Sequence, residues 1–511
     1  MVLETNAASS GTPTRSDRFY ARVERLGNAL PDPFVIFVVL AVVVIVLSAI
    51  VASFGASVAH PTTGEILAVR SLASGEGLVY MLDSMIDNFV GFAPLGLVLA
   101  IMLGIGLAER VGLLAVCARR LMVSAPARLA TLTTCFVAIN MSIASDAAMI
   151  LLPPLAALVF SEIGRHPVAG FVAGFACAGA GFTANILVVG TDVLYAGLTT
   201  EAAKIIDPEA SVTPVANWYF NIVSTLVLTV VGAVVTDRVI EPRLGRWQPS
   251  GAIETIEEAP NASRGLRNAG LASLAFLALV LAALFWPGSP LRNAEGGLVP
   301  SPFLSSIVVV IFLYFVTVGL AYGITTGAIR SSSDVAQKMT QSIADLAPYI
   351  VLVFAAAQFI AFFSWSRLGT WLAINGAEGL IAIDFTGFGL LLAYSCLSAL
   401  LEFLITSGSA KWALEAPVFV PLMMQLGYDP GFIQVPYRVA DSSFNILSPT
   451  NPYLYVALGF LKRYVPEAGL GTLMAAMLPY ALSFFVVWQV LVAIFYFLNL
   501  PVGPGVYPMA G

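Results

Sequence analysis

The chain contains little charge and few residues with reactive side chains. Charged residues make up 11% of the 511 residues, and histidine occurs only at His60 and His166. A histidine proton relay is therefore not expected, and any proton coupling would use carboxylates. The four cysteines fall within or beside apolar segments, which is typical of small buried side chains rather than of a disulfide framework or a zinc site.

Sequence motifs of several other functional classes are also missing. The sequence has no H-E-x-x-H motif and no phosphate-binding loop, so it predicts neither an intramembrane enzyme nor an ATP-driven pump. The net charge of −6 is modest, and no run of Lys and Arg alternates with aromatic residues, so no nucleic acid partner is expected. An ion channel would carry a repeated carbonyl filter or a ring of like charges. It is therefore the less favoured alternative.

Long apolar runs dominate what the chain does contain. Hydrophobic residues account for 59% of the sequence, and the mean hydropathy is +0.90. Apolar segments of about 20 residues recur, which predicts an all-α polytopic membrane protein in contact with lipid and without a separate soluble domain. The first is too long for the core of a signal peptide and is interpreted as a retained helix. Full crossings are predicted near 34–55, 88–109, 215–237, 269–287, 303–328, 345–364, 386–406 and 468–498.

A polar connector of mixed charge divides the chain into two halves. Arginines cluster before the first helix, around 119–128 and around the connector, which places these segments in the cytoplasm. The N-terminus is therefore predicted inside and the C-terminus outside, which requires an odd number of crossings. The predicted order is a cytoplasmic N-terminal segment (1–33), a first transmembrane half (34–237), a cytoplasmic linker (238–268), a second transmembrane half (269–498) and an outer tail (499–511).

Each half contains one irregular region, at 128–200 and at 407–462. "SDAAMILLPPLAALVF" from Ser145 and "SAKWALEAPVFVPLMM" from Ser409 share a serine followed eight residues later by a proline, Pro153 or Pro417. Further along, "NILVVGTDVLY" from Asn185 matches "NILSPTNPYLY" from Asn445. Paired interrupted segments in two halves indicate the binding site of a secondary transporter. Non-helical backbone survives at membrane depth only where protein or a water-filled cavity satisfies its polar groups.

Asp441 is the principal candidate for ion coupling, because ionisable residues inside a membrane are functional by default. Arg438 lies three residues earlier, so the two side chains would share a helix face and could form an ion pair; Arg438 could also mark a helix end. Asn185 and Asn445 occupy matching places in the repeats and are candidates for ion or substrate coordination. Together with Asp441 they would form an oxygen-lined ion site.

The remaining candidates have a structural alternative beside the functional one. Asp192 is either an ion-site residue or a helix cap. Ser145 and Asp146 open the first broken segment, where Asp146 is expected to cap a half-helix. Ser409 and Trp412 are predicted to line the substrate site, although Trp412 could be an interfacial anchor. The sequence does not decide between Glu402 and Glu415 as a second proton carrier, and the residues expected only to shape the breaks are Pro417, Pro430 and Pro449.

Both irregular regions resemble those of the p-aminobenzoyl-glutamate transporter (AbgT) family. The motifs that carry the resemblance are "SDAAMILLPPLAALVF", "GRHPVAGF", "GFTANILVVGTD", "SGSAKWALEAPVFVPLMMQLGY" and "YRVADSSFNILSPTNPY". By match of motif, the functionally important positions of the family fall on Asp192, Ser409, Trp412, Pro430, Arg438, Asp441 and Pro449. The match at Asp192 assumes a one-residue deletion in "GTD", and Phe444 stands where the family often has Thr.

The resemblance implies a homodimer in the bacterial inner membrane, related to elevator-type ion transporters, with about nine transmembrane helices and two re-entrant hairpins per subunit. It also implies transport of aminobenzoyl-glutamate, or efflux of sulfonamide-like antimetabolites, driven by a Na⁺ or H⁺ gradient and without a bound cofactor. A transporter of another small organic anion, such as a dicarboxylate, is the alternative. The direction of transport and the identity of the coupling ion stay open.

Overall fold

The computed structural model describes residues 31–59, 65–245, 247 and 261–510. The predicted N-terminal segment (1–33) therefore lies largely outside the described residues, and the middle of the predicted linker (238–268), residues 246 and 248–260, also lies outside them. The described part is mostly helical, as the sequence predicts. It also contains one two-stranded antiparallel sheet that the all-α prediction omits, formed by β1 (Ser57–Ala59) and β2 (Ile66–Ala68).

The helices of the first half run from α1 to α10. The 3₁₀ turns Ala127–Leu129 and Met141–Ala144 flank α5, and a π-helical turn, Thr236–Ile240, joins α9 to α10. The helices are α1 (Pro33–Ser53), α2 (Gly75–Val90), α3 (Ala93–Arg110), α4 (Leu113–Val123), α5 (Ala130–Asn140), α6 (Ala147–Glu162), α7 (Pro167–Ala180), α8 (Gly190–Ala203), α9 (Trp218–Val235) and α10 (Glu241–Leu244).

The second half continues from α11 to α21. Its helices are α11 (Ala262–Phe285), α12 (Pro302–Ser305), α13 (Ile307–Thr326), α14 (Ser332–Ala344), α15 (Ala347–Trp365), α16 (Leu368–Ala382), α17 (Gly387–Leu401), α18 (Gly408–Gln425), α19 (Pro430–Asn445), α20 (Pro452–Leu461) and α21 (Leu470–Phe497).

Eight segments in the described residues are long and apolar enough to cross a membrane. Six of them coincide with predicted crossings, and a seventh, Gly75–Arg110, contains the crossing predicted at 88–109 behind the extra helix α2. The eighth, Ala127–Ala144, lies in a region that the sequence marked only as irregular. Conversely, α17 has 15 residues, fewer than the about 20 that a crossing requires, so the full crossing predicted at 386–406 is wrong.

The two broken regions contain the same order of elements. In each, a proline-containing helix (α6 or α18) is followed by a short turn, a helix that begins with proline (α7 or α19), a non-helical break and another helix (α8 or α20). His166 Nδ1 accepts a hydrogen bond from the Val168 amide, and Asp429 Oδ1 accepts one from the Gly431 amide. Both contacts satisfy an unpaired amide of a first helical turn, so "HP" and "DP" start α7 and α19 in the same way.

Burial separates an inner group of helices from an outer one. Every residue of α7 is buried, as are most residues of α19, whereas α1 and α11 are apolar and largely exposed. Exposed apolar helices in a polytopic chain face lipid or a second subunit. The broken regions thus form the interior of the protein, and α1 and α11 form part of its lipid-side surface.

The C-terminal tail packs on the second half instead of extending away from it. The Ala510 amide donates to the Gly427 carbonyl oxygen at 2.9 Å, and the Asp429 amide donates to the Pro508 carbonyl oxygen at 3.3 Å. These contacts hold the turn between α18 and α19. The end of the predicted outer tail (499–511) is therefore held on this turn, and earlier in the tail the Val502 carbonyl oxygen accepts a hydrogen bond from the Phe220 amide of α9 at 3.0 Å.

Candidate functional site

A cavity of about 340 Å³ lies between the two broken regions. Its wall combines hydroxyl, amide and carboxylate groups with apolar side chains. The residues that line it are Val98, Met102, Ser142, Ile143, Ser145, Asp146, Met149, Phe182, Gly190, Thr191, Leu194, Tyr195, Leu346, Tyr349, Thr406, Ser407, Gly408, Ser409, Asp441, Asn445, Asn451, Pro452 and Tyr453. The two serine-containing turns and the two asparagine-containing breaks of the repeats therefore meet at one cavity.

Four helices begin in the wall of this cavity. Asp146 is the N-cap of α6, Gly190 opens α8, Ser407 is the N-cap of α18 and Asn451 is the N-cap of α20. The first turn of a helix carries unpaired amides and a partial positive charge. Four such ends around one cavity make it suited to hold a small anion.

Asp441 lies at the edge of the cavity and is held by three side chains. Lys411 Nζ is 3.1 Å from Asp441 Oδ1, and Tyr195 Oη donates to Asp441 Oδ2 at 3.2 Å. Tyr437 Oη lies 3.2 Å from Asp441 Oδ1 and 2.6 Å from the Gly408 carbonyl oxygen. The carboxylate of α19 is thus connected to α8 and to the first turn of α18.

Lys411 contacts a second carboxylate on its other side. Its Nζ forms an ion pair with Glu402 Oε2, and neither side chain has any exposed surface. Glu415, one turn further along α18, accepts hydrogen bonds from Tyr394 Oη at 2.8 Å and from Ser398 Oγ at 3.1 Å. Both glutamates that the sequence left undecided are therefore buried near Asp441, but only Glu402 shares its cation.

The sequence suggested an ion pair between Arg438 and Asp441. In the structure, Arg438 pairs with Asp192 instead. Arg438 Nη1 is 2.7 Å from Asp192 Oδ1, and both side chains are buried. Asp192 Oδ2 also accepts a hydrogen bond from the Val189 amide at 2.9 Å. Asp192 therefore acts as a cap for α8 and as the ion-pair partner of Arg438, which combines the two alternatives drawn from the sequence.

The two matching asparagines lie in different surroundings. Asn445 lines the cavity, and its Oδ1 accepts a hydrogen bond from Asn451 Nδ2 at 2.6 Å. Asn185 is buried behind the cavity wall, where Ser142 Oγ donates to its Oδ1. The structure thus places Asn445 and Asp441 in the same cavity wall, while Asn185 supports the first serine-containing turn from behind.

Ser409 lines the cavity, but Trp412 lies behind it. The Trp412 side chain has no exposed surface, and its Nε1 donates to Thr199 Oγ1 at 3.1 Å. Its ring centroid lies 4.5 Å from that of Tyr437, the tyrosine that contacts Asp441. A substrate contact of Trp412 remains a prediction, and in this structure its ring packs against a residue of the site.

Ser145 and Asp146 line the cavity at the first turn. Asp146 is the N-cap of α6, but its side chain makes no capping hydrogen bond. Its Oδ2 accepts a hydrogen bond from Tyr453 Oη at 3.0 Å, which joins the first turn to the start of α20. Asp146 therefore links the two repeats instead of capping its helix through its side chain.

The three prolines lie at different places in the second broken region. Pro417 lies inside α18, and Pro430 is the first residue of α19. Pro449 lies in the second break, where its carbonyl oxygen accepts a hydrogen bond from Tyr455 Oη at 2.8 Å. Of the three, Pro449 lies in a non-helical break, whereas the helix α18 continues through Pro417.

Sequence reasoning missed three members of the site, Lys411, Tyr195 and Tyr437. Lys411 stands in the apolar segment that opens α18, and the rule that singled out Asp441 applies equally to a lysine at membrane depth. Tyr437 lies four residues before Asp441 on α19, so it shares a helix face with that carboxylate. Tyr195 gave no such signal, because it is distant from Asp441 in sequence.

The chain is similar to known transporters over nearly its whole length. The family model described as "AbgT putative transporter family" matches residues 18–510. The p-aminobenzoyl-glutamate transport protein of Escherichia coli (strain K12) is 44% identical over 504 residues, which are 98% of this chain and 99% of that protein.

Two solved structures are also similar. The YdaH transporter of Alcanivorax borkumensis is 40% identical with a TM-score of 0.88, over 93% of this chain and 100% of that chain. MtrF of Neisseria gonorrhoeae, described among a class of antimetabolite efflux pumps, is 39% identical with a TM-score of 0.90, over 96% of this chain and 100% of that chain. The resemblance seen in the broken regions is thereby confirmed, and the chain belongs to the AbgT family of transporters.

Proposed function

We propose that the chain is a cation-coupled secondary transporter of p-aminobenzoyl-glutamate, and that the substrate binds in the cavity between the two broken regions. The observation that carries this proposal is the convergence of four helix N-termini on that cavity. The substrate has two carboxylates, and unpaired amides at helix N-termini stabilise negative charge. The similar protein of Escherichia coli, named for transport of this compound, supports the choice.

The rest of the cavity wall fits the aromatic part of this substrate. Met102, Met149, Phe182 and Leu194 give one part of the wall apolar surface for a ring, while Ser145 and Ser409 supply hydroxyl groups. A cavity of about 340 Å³ lies within the range of small-molecule sites, which is about 300–1,000 Å³. Trp412 would act on the site indirectly, by packing against Tyr437, which contacts Asp441.

Efflux of sulfonamide-like antimetabolites is a second candidate function. Sulfonamides share the 4-aminophenyl group of p-aminobenzoyl-glutamate but lack the two carboxylates. The similarity to MtrF supports this candidate. The two functions are compatible if the apolar wall recognises the common ring and the helix N-termini add affinity for the carboxylates.

Coupling to a cation is supported by the charges buried in the described part of the chain. These are four carboxylates and two cationic groups, on Asp192, Glu402, Lys411, Glu415, Arg438 and Asp441. If all six are ionised, two negative charges are unbalanced in a medium where charge is costly. A bound Na⁺ or H⁺ at Asp441, which faces the cavity, would reduce this imbalance, and Asn445 would supply an oxygen ligand to Na⁺.

The membrane topology that we propose has nine crossings. Seven are the helices α1, α3, α9, α11, α13, α15 and α21, and two are the broken pairs α7–α8 and α19–α20. The pairs α5–α6 and α17–α18 are then the two re-entrant hairpins, with their tips at the cavity. Nine crossings agree with a cytoplasmic N-terminus and an outer C-terminus in the inner membrane of a bacterium, and an elevator-type movement would carry the inner helices past the outer ones.

We also propose that the protein is a homodimer. The helices α1 and α11 expose apolar side chains along most of their length, for example Val42 and Leu274. Apolar faces of this kind can contact lipid directly, so their exposure alone does not require a partner subunit. The helix α1 packs mainly on α15 and α11 packs mainly on α13, which supports the interpretation that they form a fixed scaffold at which two subunits meet.

Transport into proteoliposomes tests the proposed function. Purified protein in vesicles should accumulate labelled p-aminobenzoyl-glutamate when an inward Na⁺ or H⁺ gradient is imposed, and uptake should saturate. Sulfonamides should compete through the shared ring, whereas succinate should compete weakly. Preferred uptake of succinate would identify a dicarboxylate transporter instead, and unsaturable ion currents would indicate a channel.

A further inference from the structure

Lys411 lies between two carboxylates that belong to different parts of the fold. Glu402 follows α17, Lys411 stands in the first turn of α18, and Asp441 is near the end of α19. Lys411 Nζ pairs with Glu402 Oε2 and is also 3.1 Å from Asp441 Oδ1. One buried ammonium group therefore serves two buried carboxylates.

The two carboxylates differ in their access to the cavity. Asp441 belongs to the cavity wall, whereas Glu402 is fully buried outside that wall. Glu402 Oε1 has no hydrogen-bond partner among the described residues. Glu402 can therefore take a larger share of the lysine, and Asp441 can exchange the lysine for an ion from the cavity.

No other cation in the described part of the chain contacts Asp441. Arg438, on the same helix, is engaged by Asp192 at 2.7 Å. The other groups that face Lys411 are Glu415, on its own helix, and the ring of Tyr437, whose centroid is 5.0 Å from Nζ. The positive charge available to Asp441 is thus that of Lys411 or that of a bound ion.

We propose that Lys411 is a tethered competitor of the coupling cation. In the empty carrier Lys411 neutralises Asp441 in part; when Na⁺ or H⁺ binds to Asp441 from the cavity, Lys411 moves entirely to Glu402. This inference rests on the proposed cation coupling and names the residue that sets the affinity for the cation. Like charges close together in a weakly polar interior repel strongly, so the lysine and the cation cannot both neutralise Asp441.

A competitor of this kind sets the affinity for the coupling cation. The coupling cation must displace a lysine that already contacts Asp441. The free energy of the Lys411–Asp441 contact is therefore subtracted from the binding free energy of the cation, and its apparent affinity is lower. Close charge pairs in buried settings couple strongly enough to change an affinity by about tenfold or more. Glu402 makes the displacement possible, because it receives the lysine.

Three variants in proteoliposomes test this proposal, with the half-activating concentration of Na⁺ or H⁺ for p-aminobenzoyl-glutamate uptake as the readout. Glu402→Gln removes the second partner and leaves Lys411 on Asp441, so the half-activating concentration should rise by about tenfold or more. Lys411→Gln removes the competitor, so the half-activating concentration should fall by about the same factor. The double variant with Glu402→Gln and Lys411→Gln preserves the net charge, and it should also lower the half-activating concentration.

The half-activating concentration should rise in Glu402→Gln and fall in Lys411→Gln, and these opposite changes separate the proposed role of Lys411 from a purely structural role. If the triad only stabilises the fold, all three variants would lose folded protein while the cation requirement of the remaining carrier stays that of the wild type. The double variant keeps the test decisive if the single variants fail to fold, because it removes one charge of each sign and leaves only Asp441, which a cation from the cavity can neutralise. An unchanged half-activating concentration in that variant would overturn the proposal.

Failure of this inference can be told apart from failure of the proposed function. If wild-type uptake in the same vesicles shows no dependence on Na⁺ or H⁺, cation coupling itself is wrong and the competitor role falls with it. If wild-type uptake depends on a cation and the double variant has the wild-type requirement, only the role of Lys411 is wrong.

Discussion

Arg438 and Asp192 form a buried ion pair that joins the two broken regions of the chain. Their contact of 2.7 Å connects α19 to the first turn of α8. Removing one member of a buried pair leaves an uncompensated charge, which costs about 3–5 kcal/mol. Asp192→Asn should therefore lower the free energy of unfolding by about that amount, measured by thermal or denaturant unfolding in detergent.

The exposed pair of Lys204 and Glu201 provides a matched control. Its atoms are 2.9 Å apart, but the lysine side chain is 41% exposed. Exposed pairs contribute about 0–1 kcal/mol, so Glu201→Gln should change stability little. Equal effects of Asp192→Asn and Glu201→Gln would contradict the importance of burial at the inner pair.

The position of Trp412 separates two roles that the sequence could not distinguish. Trp412→Phe keeps a ring against Tyr437 but loses the hydrogen bond to Thr199 and part of the buried indole. Because Trp412 lies behind the cavity wall, we expect a substrate affinity within about threefold of the wild type. Trp412→Ala removes a fully buried ring and should cost about 3–5 kcal/mol of stability. The measurements are ligand binding and unfolding of the same purified variants.

Ser409→Ala is the comparison for Trp412, because Ser409 lines the cavity. It should weaken substrate binding while it leaves stability nearly unchanged. A large loss of affinity in Trp412→Phe, together with wild-type affinity in Ser409→Ala, would assign the aromatic contact to Trp412 and remove Ser409 from the site.

The broken regions were predictable from sequence because their causes are local. Proline inside an apolar segment and a polar turn at membrane depth both interrupt a helix, and their recurrence in two halves indicated one shared site. The partner of Arg438 was not predictable in this way. Spacing along one helix suggested Asp441, whereas Asp192 is 246 residues away and meets Arg438 only through the packing of α8 on α19.

The crossing at 386–406 fails for a related reason. Apolar composition predicts burial in the membrane, but it does not distinguish a short helix beside a polar turn from a complete crossing. Glu402 at the end of α17 was the available signal, because an ionisable residue within a predicted crossing indicates that the segment ends or faces inward inside the protein. The helix α2 begins between the crossings predicted at 34–55 and 88–109, and it was missed because its polar residues lower the apolar content.

Cross-linking tests the dimer surface proposed at α11. Leu274→Cys places a thiol on the exposed apolar face of this helix, in a background where the exposed Cys396 is replaced by Ala. We expect a disulfide-linked dimer in native membranes under mild oxidation. Val234→Cys, on the exposed face of α9, is the control and should remain monomeric. Dimer bands at Val234→Cys alone would move the interface to α9.

Asp441→Asn tests the coupling residue. The amide keeps the shape of the side chain and its contacts with Tyr195 and Tyr437, but it cannot carry a negative charge or take up a proton. Uptake against a concentration gradient should be lost, while the protein folds and part of its substrate binding persists. Glu76→Gln, at an exposed carboxylate, is the control and should transport normally. Gradient-driven accumulation at the wild-type rate in Asp441→Asn would place coupling elsewhere, with Asp192 the next residue to test.

Gly408 tests how closely the site is packed at the tip of the second hairpin. A Cβ atom at this position would lie 2.6 Å from Tyr195 Oη and 3.0 Å from Asp441 Oδ2. Such distances are shorter than van der Waals contact, so the methyl group of Gly408→Ala would displace the tyrosine or the carboxylate. We expect Gly408→Ala to reduce transport by about tenfold or more, since a small misplacement of an ion-binding group is costly.

The control for Gly408→Ala is Gly459→Ala, on α20. A Cβ at Gly459 would have no heavy atom within 4 Å, and alanine is the better helix former, so this variant should transport normally and gain about 0.5–1 kcal/mol of stability. Transport rates in proteoliposomes, measured at equal amounts of folded protein, compare the two. Wild-type transport by Gly408→Ala would mean that Asp441 and Tyr195 need not occupy these positions, and it would weaken the assignment of this carboxylate to the site.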